Sequence, residues 1–134
     1  MAAPMTTRAI PGKSILLVED DDALRPLLAA VLEAAGFSVT AIRLAEDAPE
    51  VLRMNFADLI VLDLAMPGGT MQGTDLLAML READAWKHMP VVVFSGYGDV
   101  VNQDIMTRLG ASAVLTKPLA DVDTLPTTIR AILG

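Results

Sequence analysis

Short runs of branched aliphatic residues recur along the chain and alternate with segments in which apolar residues repeat at helical spacing. The apolar run 59–62 is bounded by turn-forming residues, which is typical of a strand buried on both faces of a parallel sheet. Similar runs predict strands at 14–18, 91–94 and 113–115. Segment 37–42 alternates between apolar and polar residues, and it predicts a less buried strand.

Apolar residues three and four positions apart predict a helix after each strand. Asp21 or Asp22 can cap the first helix, and Gly36 can end it. The other predicted helices run from about 46 to 54, from Thr74 as cap through Leu80, from Val101 to Leu109 before Gly110, and through Leu133 with Pro126 in the first turn. This βα alternation predicts a single α/β domain with a parallel sheet, right-handed crossovers and helices on both faces.

Length, charge and residue content exclude several classes of protein. The 134 residues are enough for one domain, predicted at 13–134 after a flexible tail at 1–12. The net charge of −7, with scattered basic residues, argues against direct nucleic-acid binding. The chain has no cysteine, no apolar run long enough to span a membrane and no signal-peptide core, so we expect a cytoplasmic protein without membrane contact.

Polar side chains follow four of the predicted strands. Glu19 and Asp20 come after the first strand, Asp63 after the third, Ser95 after the fourth and Lys117 after the fifth. The carboxyl ends of parallel strands meet at one edge of a sheet, where ligands bind, so these groups are expected to converge. Clustered carboxylates repel one another, and a hard cation with oxygen ligands relieves that repulsion.

Four motifs, in this order, resemble the receiver domain of bacterial response regulators over about residues 13–133. The motifs are Ile15–Asp20 followed by Arg25, Asp63–Pro67, Ser95–Gly96, and Gly110–Ala111 leading to Lys117–Pro118. The resemblance implies a flavodoxin-like fold in which five parallel strands have the order 2-1-3-4-5.

The resemblance also implies a function and a role for each site residue. Asp63 would accept a phosphoryl group from the phosphohistidine of a sensor histidine kinase or histidine phosphotransferase. Mg²⁺ would be held by Glu19, Asp20, Asp63 and the backbone carbonyl of Ala65, while Ser95 and Lys117 would contact the phosphoryl oxygens. A downstream output protein, or a second copy in a homodimer, would bind the face formed by the fourth helix, fifth strand and fifth helix. Catalysis would be limited to the domain's own phosphorylation and dephosphorylation.

Three further residues shape the interpretation. His88 is the chain's sole histidine and lies in a predicted loop, so the phosphoryl donor must be another protein or a small acyl phosphate. Val114 stands where the family often has an aromatic residue, three positions before Lys117, and Tyr97 is a candidate substitute for it.

Two alternative functions stay open. A receiver-like interaction module could signal without phosphorylation, although the intact acidic, hydroxyl and ammonium positions argue against it. A phosphatase of the haloacid dehalogenase type could use Asp63 as a nucleophile. It would want a second acid two residues later, where this chain has Ala65, and an inserted substrate cap.

Overall fold

The computed structural model describes residues 12–65, 69–96, 104–105, 107–119 and 121–134. Its sheet has five parallel strands in the order β2-β1-β3-β4-β5, which confirms the predicted flavodoxin-like topology. The strands are β1 (Ser14–Val18), β2 (Ser38–Ile42), β3 (Leu59–Asp63), β4 (Val91–Ser95) and β5 (Ala113–Thr116).

Helices follow the strands, as the apolar spacing predicts. They are α1 (Leu24–Ala34), α2 (Ala48–Met54) after a short 3₁₀ turn (Ala45–Asp47), α3 (Gly73–Glu82), α4, described at residues 104–105 and 107–109, and α5 (Thr124–Leu133). Pro126 lies in the first turn of α5, where the missing N–H removes no helical hydrogen bond.

The sheet separates two apolar cores. Leu16 and Val18 of β1 belong to a buried cluster with leucines of α2 and α3, whereas Ile15 and Leu17 belong to a second cluster with residues of α1 and α5. Neighbouring side chains of a strand point to opposite faces, so this division places helices on both faces of the sheet. β3 and β4 are buried along their whole length, and β2 is the more exposed strand, as predicted.

The predicted cap is correct for α1 and wrong for α3. Asp21 caps α1 by accepting hydrogen bonds from the backbone N–H groups of Ala23 (2.8 Å) and Leu24 (2.9 Å). The prediction that Thr74 caps α3 is wrong, because the helix begins at Gly73. A Cβ atom at Gly73 would overlap the backbone of Asp63 and Leu64, so close packing against the end of β3 sets this helix start.

Parts of the sequence predictions fall outside the described residues. These are residues 1–11 of the predicted tail, Tyr97, and Val101 at the start of the predicted fourth helix. Across the described ranges, none of the helices has the length and apolar character that a membrane span requires.

Candidate functional site

The predicted site residues converge at the carboxyl edge of the sheet. Glu19 directly follows β1, Asp63 ends β3, Ser95 ends β4 and Lys117 directly follows β5. In the strand register, Asp63 is paired with Phe94, the residue before Ser95, and Ser95 is paired with the residue before Lys117. The parallel topology therefore brings residues from distant parts of the chain to one place.

One ammonium group is shared between two buried carboxylates. Lys117 Nζ lies 3.1 Å from Glu19 Oε1 and 3.1 Å from Asp63 Oδ1. Glu19 is only 1% exposed and Asp63 only 4% exposed, whereas Lys117 keeps partial contact with solvent. A single positive charge therefore faces two negative charges that water screens weakly.

Burial and the neighbouring charges together shift the pKa values of Glu19 and Lys117. Burial raises the pKa of Glu19 above its usual range, and the neighbouring charge of Asp63 raises it further. Burial alone would lower the pKa of Lys117, but the hydrogen bond to Glu19 and the charges of Asp63 and Glu19 outweigh it and raise that pKa. Two carboxylates share the single positive charge of Lys117, so the site keeps an excess of negative charge.

Backbone contacts position Glu19. The N–H of Asp21 donates to Glu19 Oε2 (3.1 Å), and the N–H of Glu19 donates to the carbonyl of Ile42 (3.1 Å). Arg25 Nη1 donates to the carbonyl of Glu19 (3.0 Å), while Arg25 Nη2 is paired with Asp22 (2.8 Å). In the sequence Arg25 stands out only as part of a motif, and in the structure it holds the backbone at Glu19.

The chain after Asp63 turns back against the site. The N–H of Ala65 donates to Asp63 Oδ1 (3.3 Å), and the N–H of Gly73 donates to the carbonyl of Leu64 (2.9 Å). The residues directly after β3 therefore lie against the start of α3.

The donor set fits a hard divalent cation. Glu19, Asp20 and Asp63 each place one carboxylate oxygen within 4.8 Å of the others. Carboxylate oxygens are the ligands that Mg²⁺ and Ca²⁺ prefer. One lysine cannot neutralise three carboxylates, so both the donor atoms and the charge favour a cation at this edge.

Ser95 and Val114 lie close to the site in the fold. Ser95 is buried, and its carbonyl accepts a hydrogen bond from the N–H of Lys117 (2.9 Å). Val114 is partly buried and packs against the core cluster that includes Ile105 and Ala111. The ends of β4 and β5 are thus linked directly at the site.

Comparison with known proteins decides the family. A family model described as the response regulator receiver domain matches residues 15–130. The chain belongs to this family. It is a receiver domain of two-component signalling.

Curated relatives of this receiver domain include proteins of different lengths. The response regulator protein FleR of Pseudomonas aeruginosa is 37% identical over 120 residues, which cover 90% of this chain and 24% of the relative. The transcriptional regulatory protein GltR of the same species is 33% identical over 91% of this chain and 49% of its own length. The polar-differentiation response regulator DivK of Brucella anthropi is 26% identical, with 91% and 97% covered. The chain thus spans about half or less of the first two relatives.

Solved structures agree with the receiver fold. A CheY-like response regulator receiver domain protein from Methanospirillum hungatei superposes with a TM-score of 0.80 at 27% identity, covering 91% of this chain and 94% of that one. The chemotaxis response regulator CheY4 of Vibrio cholerae superposes with a TM-score of 0.80 at 22% identity, covering 90% and 98%. The second likeness supports the fold alone.

Family membership brings general properties. Receiver domains of response regulators interact with histidine kinases and output domains, and they generally bind Mg²⁺ at an acidic pocket. Glu19, Asp20 and Asp63 form an acidic cluster of this kind here. Receiver domains are generally not classical enzymes.

Proposed function

We propose that Asp63 accepts a phosphoryl group from the phosphohistidine of a sensor histidine kinase or histidine phosphotransferase. The observation that carries this proposal is the buried Asp63 carboxylate at the end of β3, held 3.1 Å from Lys117 in a site with excess negative charge. The proposed receiver domain comprises residues 13–134 and acts in the cytoplasm. Its only catalysis is its own phosphorylation and slow dephosphorylation.

The reaction requires positioning and charge neutralisation more than covalent help. An Asp63 carboxylate oxygen forms the bond to phosphorus while the bond from phosphorus to the donor imidazole nitrogen breaks, and the electron pair stays on the imidazole. Lys117 neutralises charge on the transferred oxygens, and Ser95 donates a hydrogen bond to one of them. Glu19, Asp20, Asp63 and the carbonyl of Ala65 would hold Mg²⁺, which would supply further positive charge to the phosphoryl oxygens.

Phosphorylation would redistribute the contacts of Lys117. It replaces a singly charged carboxylate with an acyl phosphate that carries about two negative charges. Lys117 then gains a stronger partner than Glu19. The backbone hydrogen bond from Lys117 to Ser95 joins the ends of β5 and β4, so a movement of Lys117 acts on both strands. This would bias the face formed by α4, β5 and α5, where an output protein or a second copy binds.

The donor protein must cover the surface around the site to bring its imidazole to Asp63. An apolar groove opens beside Lys117, and Leu27 (51% exposed) and Val122 (42% exposed) form part of its lining. We expect Leu27→Gln to slow transfer from the partner kinase and to leave phosphorylation by acetyl phosphate unchanged. The control is Met54→Gln, which makes a similar substitution at an exposed position of α2. Equal rates for both variants would remove this groove from the donor interface.

Intact-protein mass spectrometry after incubation with acetyl phosphate tests the function. A single phosphoryl adduct that needs Mg²⁺ and is absent in folded Asp63→Asn would establish the acceptor and the metal requirement. No adduct on folded wild-type protein, beside a working control receiver, would favour the phosphorylation-independent module. Continuous release of phosphate from an external phosphoester would favour the phosphatase.

A further inference from the structure

The Glu46 side chain binds Thr70 and Met71, which follow the proposed phosphoryl acceptor Asp63 in the chain. Glu46 lies in the 3₁₀ turn before α2, and its carboxylate accepts hydrogen bonds from the N–H of Thr70 (3.1 and 3.2 Å to its two oxygens), Thr70 Oγ1 (3.0 Å) and the N–H of Met71 (3.3 Å). These hydrogen bonds, that of the Thr70 N–H foremost, hold the pKa of Glu46 below its usual range. The carboxylate is therefore ionised at neutral pH.

The restrained residues, Thr70 and Met71, lie just before α3. The first residue of α3 contacts the chain beside the site, because the N–H of Gly73 donates to the carbonyl of Leu64 (2.9 Å). Leu64 lies between Asp63 and Ala65, and the N–H of Ala65 donates to Asp63 Oδ1 (3.3 Å). Glu46 therefore holds the residues that lead into this contact.

Glu46 differs from the acids that would bind the metal. Glu19, Asp20 and Asp63 turn oxygens toward one another, whereas both oxygens of Glu46 accept hydrogen bonds from Thr70. Its negative charge therefore holds the backbone of Thr70 and Met71. Backbone that is already held in place loses less conformational entropy when a neighbouring carbonyl becomes a ligand.

We propose that Glu46 is a positioning residue for the cation site. By holding Thr70 and Met71 ahead of the contact between Gly73 and Leu64, it restricts the backbone at Leu64 and so preorganises its neighbours, Asp63 and the Ala65 carbonyl, for Mg²⁺. This inference rests on the proposed function. It adds a residue from the β2–α2 connection, which is distant in sequence from the predicted ligands.

Calorimetric titration of the metal-free protein with Mg²⁺ provides the test. We expect Glu46→Gln to weaken Mg²⁺ binding about 3- to 10-fold, less than the roughly 10- to 100-fold typical of lost outer-shell partners. The matched control is Glu50→Gln, which removes the same charge from an exposed position on α2 and should leave the affinity unchanged. Amide hydrogen exchange should become faster at Thr70 and Met71 in Glu46→Gln only.

A second variant tests the same contact from the other side. A Cβ atom at Gly69 would lie 2.6 Å from Glu46 Oε1, so Gly69→Ala should displace the carboxylate from its donors. We expect Gly69→Ala to weaken Mg²⁺ binding to a similar extent. The double variant should be no weaker than either single variant, because both substitutions break the same interaction.

The outcomes separate this inference from the proposed function. Faster amide exchange in Glu46→Gln with wild-type Mg²⁺ affinity would overturn the positioning role and make the contact purely structural. Equal loss of affinity in Glu46→Gln and Glu50→Gln would overturn it too, because charge alone would explain the result. Wild-type protein that binds no Mg²⁺ would instead contradict the proposed function.

Discussion

Two partly buried cations in this protein have opposite surroundings. Lys117 contacts the carboxylates of Glu19 and Asp63, each at 3.1 Å. Arg81 contacts neutral main-chain carbonyls. Its guanidinium donates to Leu109 (3.0 Å), Trp86 (3.3 Å), Lys87 (3.3 Å), Met89 (2.9 Å) and Gly110 (2.9 Å).

The two environments suit different roles. Arg81 stabilises the fold, whereas Lys117 partly neutralises the acids of the candidate site. Burial lowers the pKa of Arg81, and an arginine stays protonated despite such a shift. Its five carbonyl contacts use its donors, so little capacity remains for a ligand. Lys117 is shared between acids whose combined charge exceeds its own, and such a site gains stability from an added cation.

Breaking the Arg81 contacts should have the largest effect on stability. Arg81→Met removes the donors of carbonyls at the end of α4 and in the α3–β4 connection. We expect the free energy of unfolding to fall by about 2–3 kcal/mol, since water can reach only some of these carbonyls. Urea denaturation measures this loss.

Arg108→Met is the control for Arg81→Met. Arg108 has an exposed ion pair with Asp104, which contributes at most about 0.5 kcal/mol. Mg²⁺ affinity should be unchanged in both variants. An equal loss of stability in Arg81→Met and Arg108→Met would contradict the structural role of the Arg81 contacts.

Lys117→Met should have a smaller effect that depends on pH. Burial already raises the pKa of Glu19, and losing Lys117 removes two contributions that lower it. A carboxyl group whose pKa is raised by folding stabilises the fold at low pH and loses that contribution as pH rises through the folded-state pKa. We expect a loss of about 1–2 kcal/mol near pH 8, allowing for partial exposure, and a smaller loss near pH 5.

Urea denaturation of wild type and Lys117→Met at both pH values measures this dependence. A deficit that is the same at pH 5 and pH 8 would mean that Lys117 does not compensate the buried acids.

We expect the smallest effect on stability from the acids at the start of α1, which should differ from the acids of the candidate site in their effect on Mg²⁺ binding. The pKa of Asp21 is lowered by hydrogen bonds from the N–H groups of Leu24 and Ala23, so its contribution to stability is present at neutral pH and is lost as pH falls through that lowered pKa. Asp21→Ala should lower the urea midpoint slightly at pH 7, and Asp22→Ala should lower it less. Neither variant should change Mg²⁺ affinity, whereas we expect Asp20→Asn to weaken it. Equal Mg²⁺ affinities in all three variants would place Asp20 with the capping acids.

The sequence predicted the features that depend on strand ends. Asp63 directly follows an apolar run and Lys117 follows another after one residue, and parallel topology brings such positions together without further information. The capping role of Asp21 was also predictable, because a helix N-terminus favours an acid there. Local pattern and the rule of parallel sheets were sufficient for these residues.

Contacts between side chains and distant backbone could not be predicted. Glu46 binds backbone groups 24 to 25 positions away, and Arg81 binds carbonyls up to 29 positions away, so no local periodicity connects either residue to its partners. The prediction that Thr74 caps α3 rests on residue type alone. The actual start of α3 depends on the packing of Gly73 against the end of β3, which only the assembled fold defines.

Thermal unfolding with and without Mg²⁺, compared between wild type and Asp63→Asn, tests whether the Asp63 carboxylate adds negative charge that a cation neutralises. Asp63→Asn leaves Lys117 with the single buried acid Glu19, so we expect the metal-free variant to be as stable as wild type or more stable. Mg²⁺ should raise the midpoint of wild type and have little effect on the variant. A metal-free variant that is clearly less stable, with equal stabilisation of both proteins by Mg²⁺, would contradict the claim that Asp63 adds uncompensated charge in order to bind a cation.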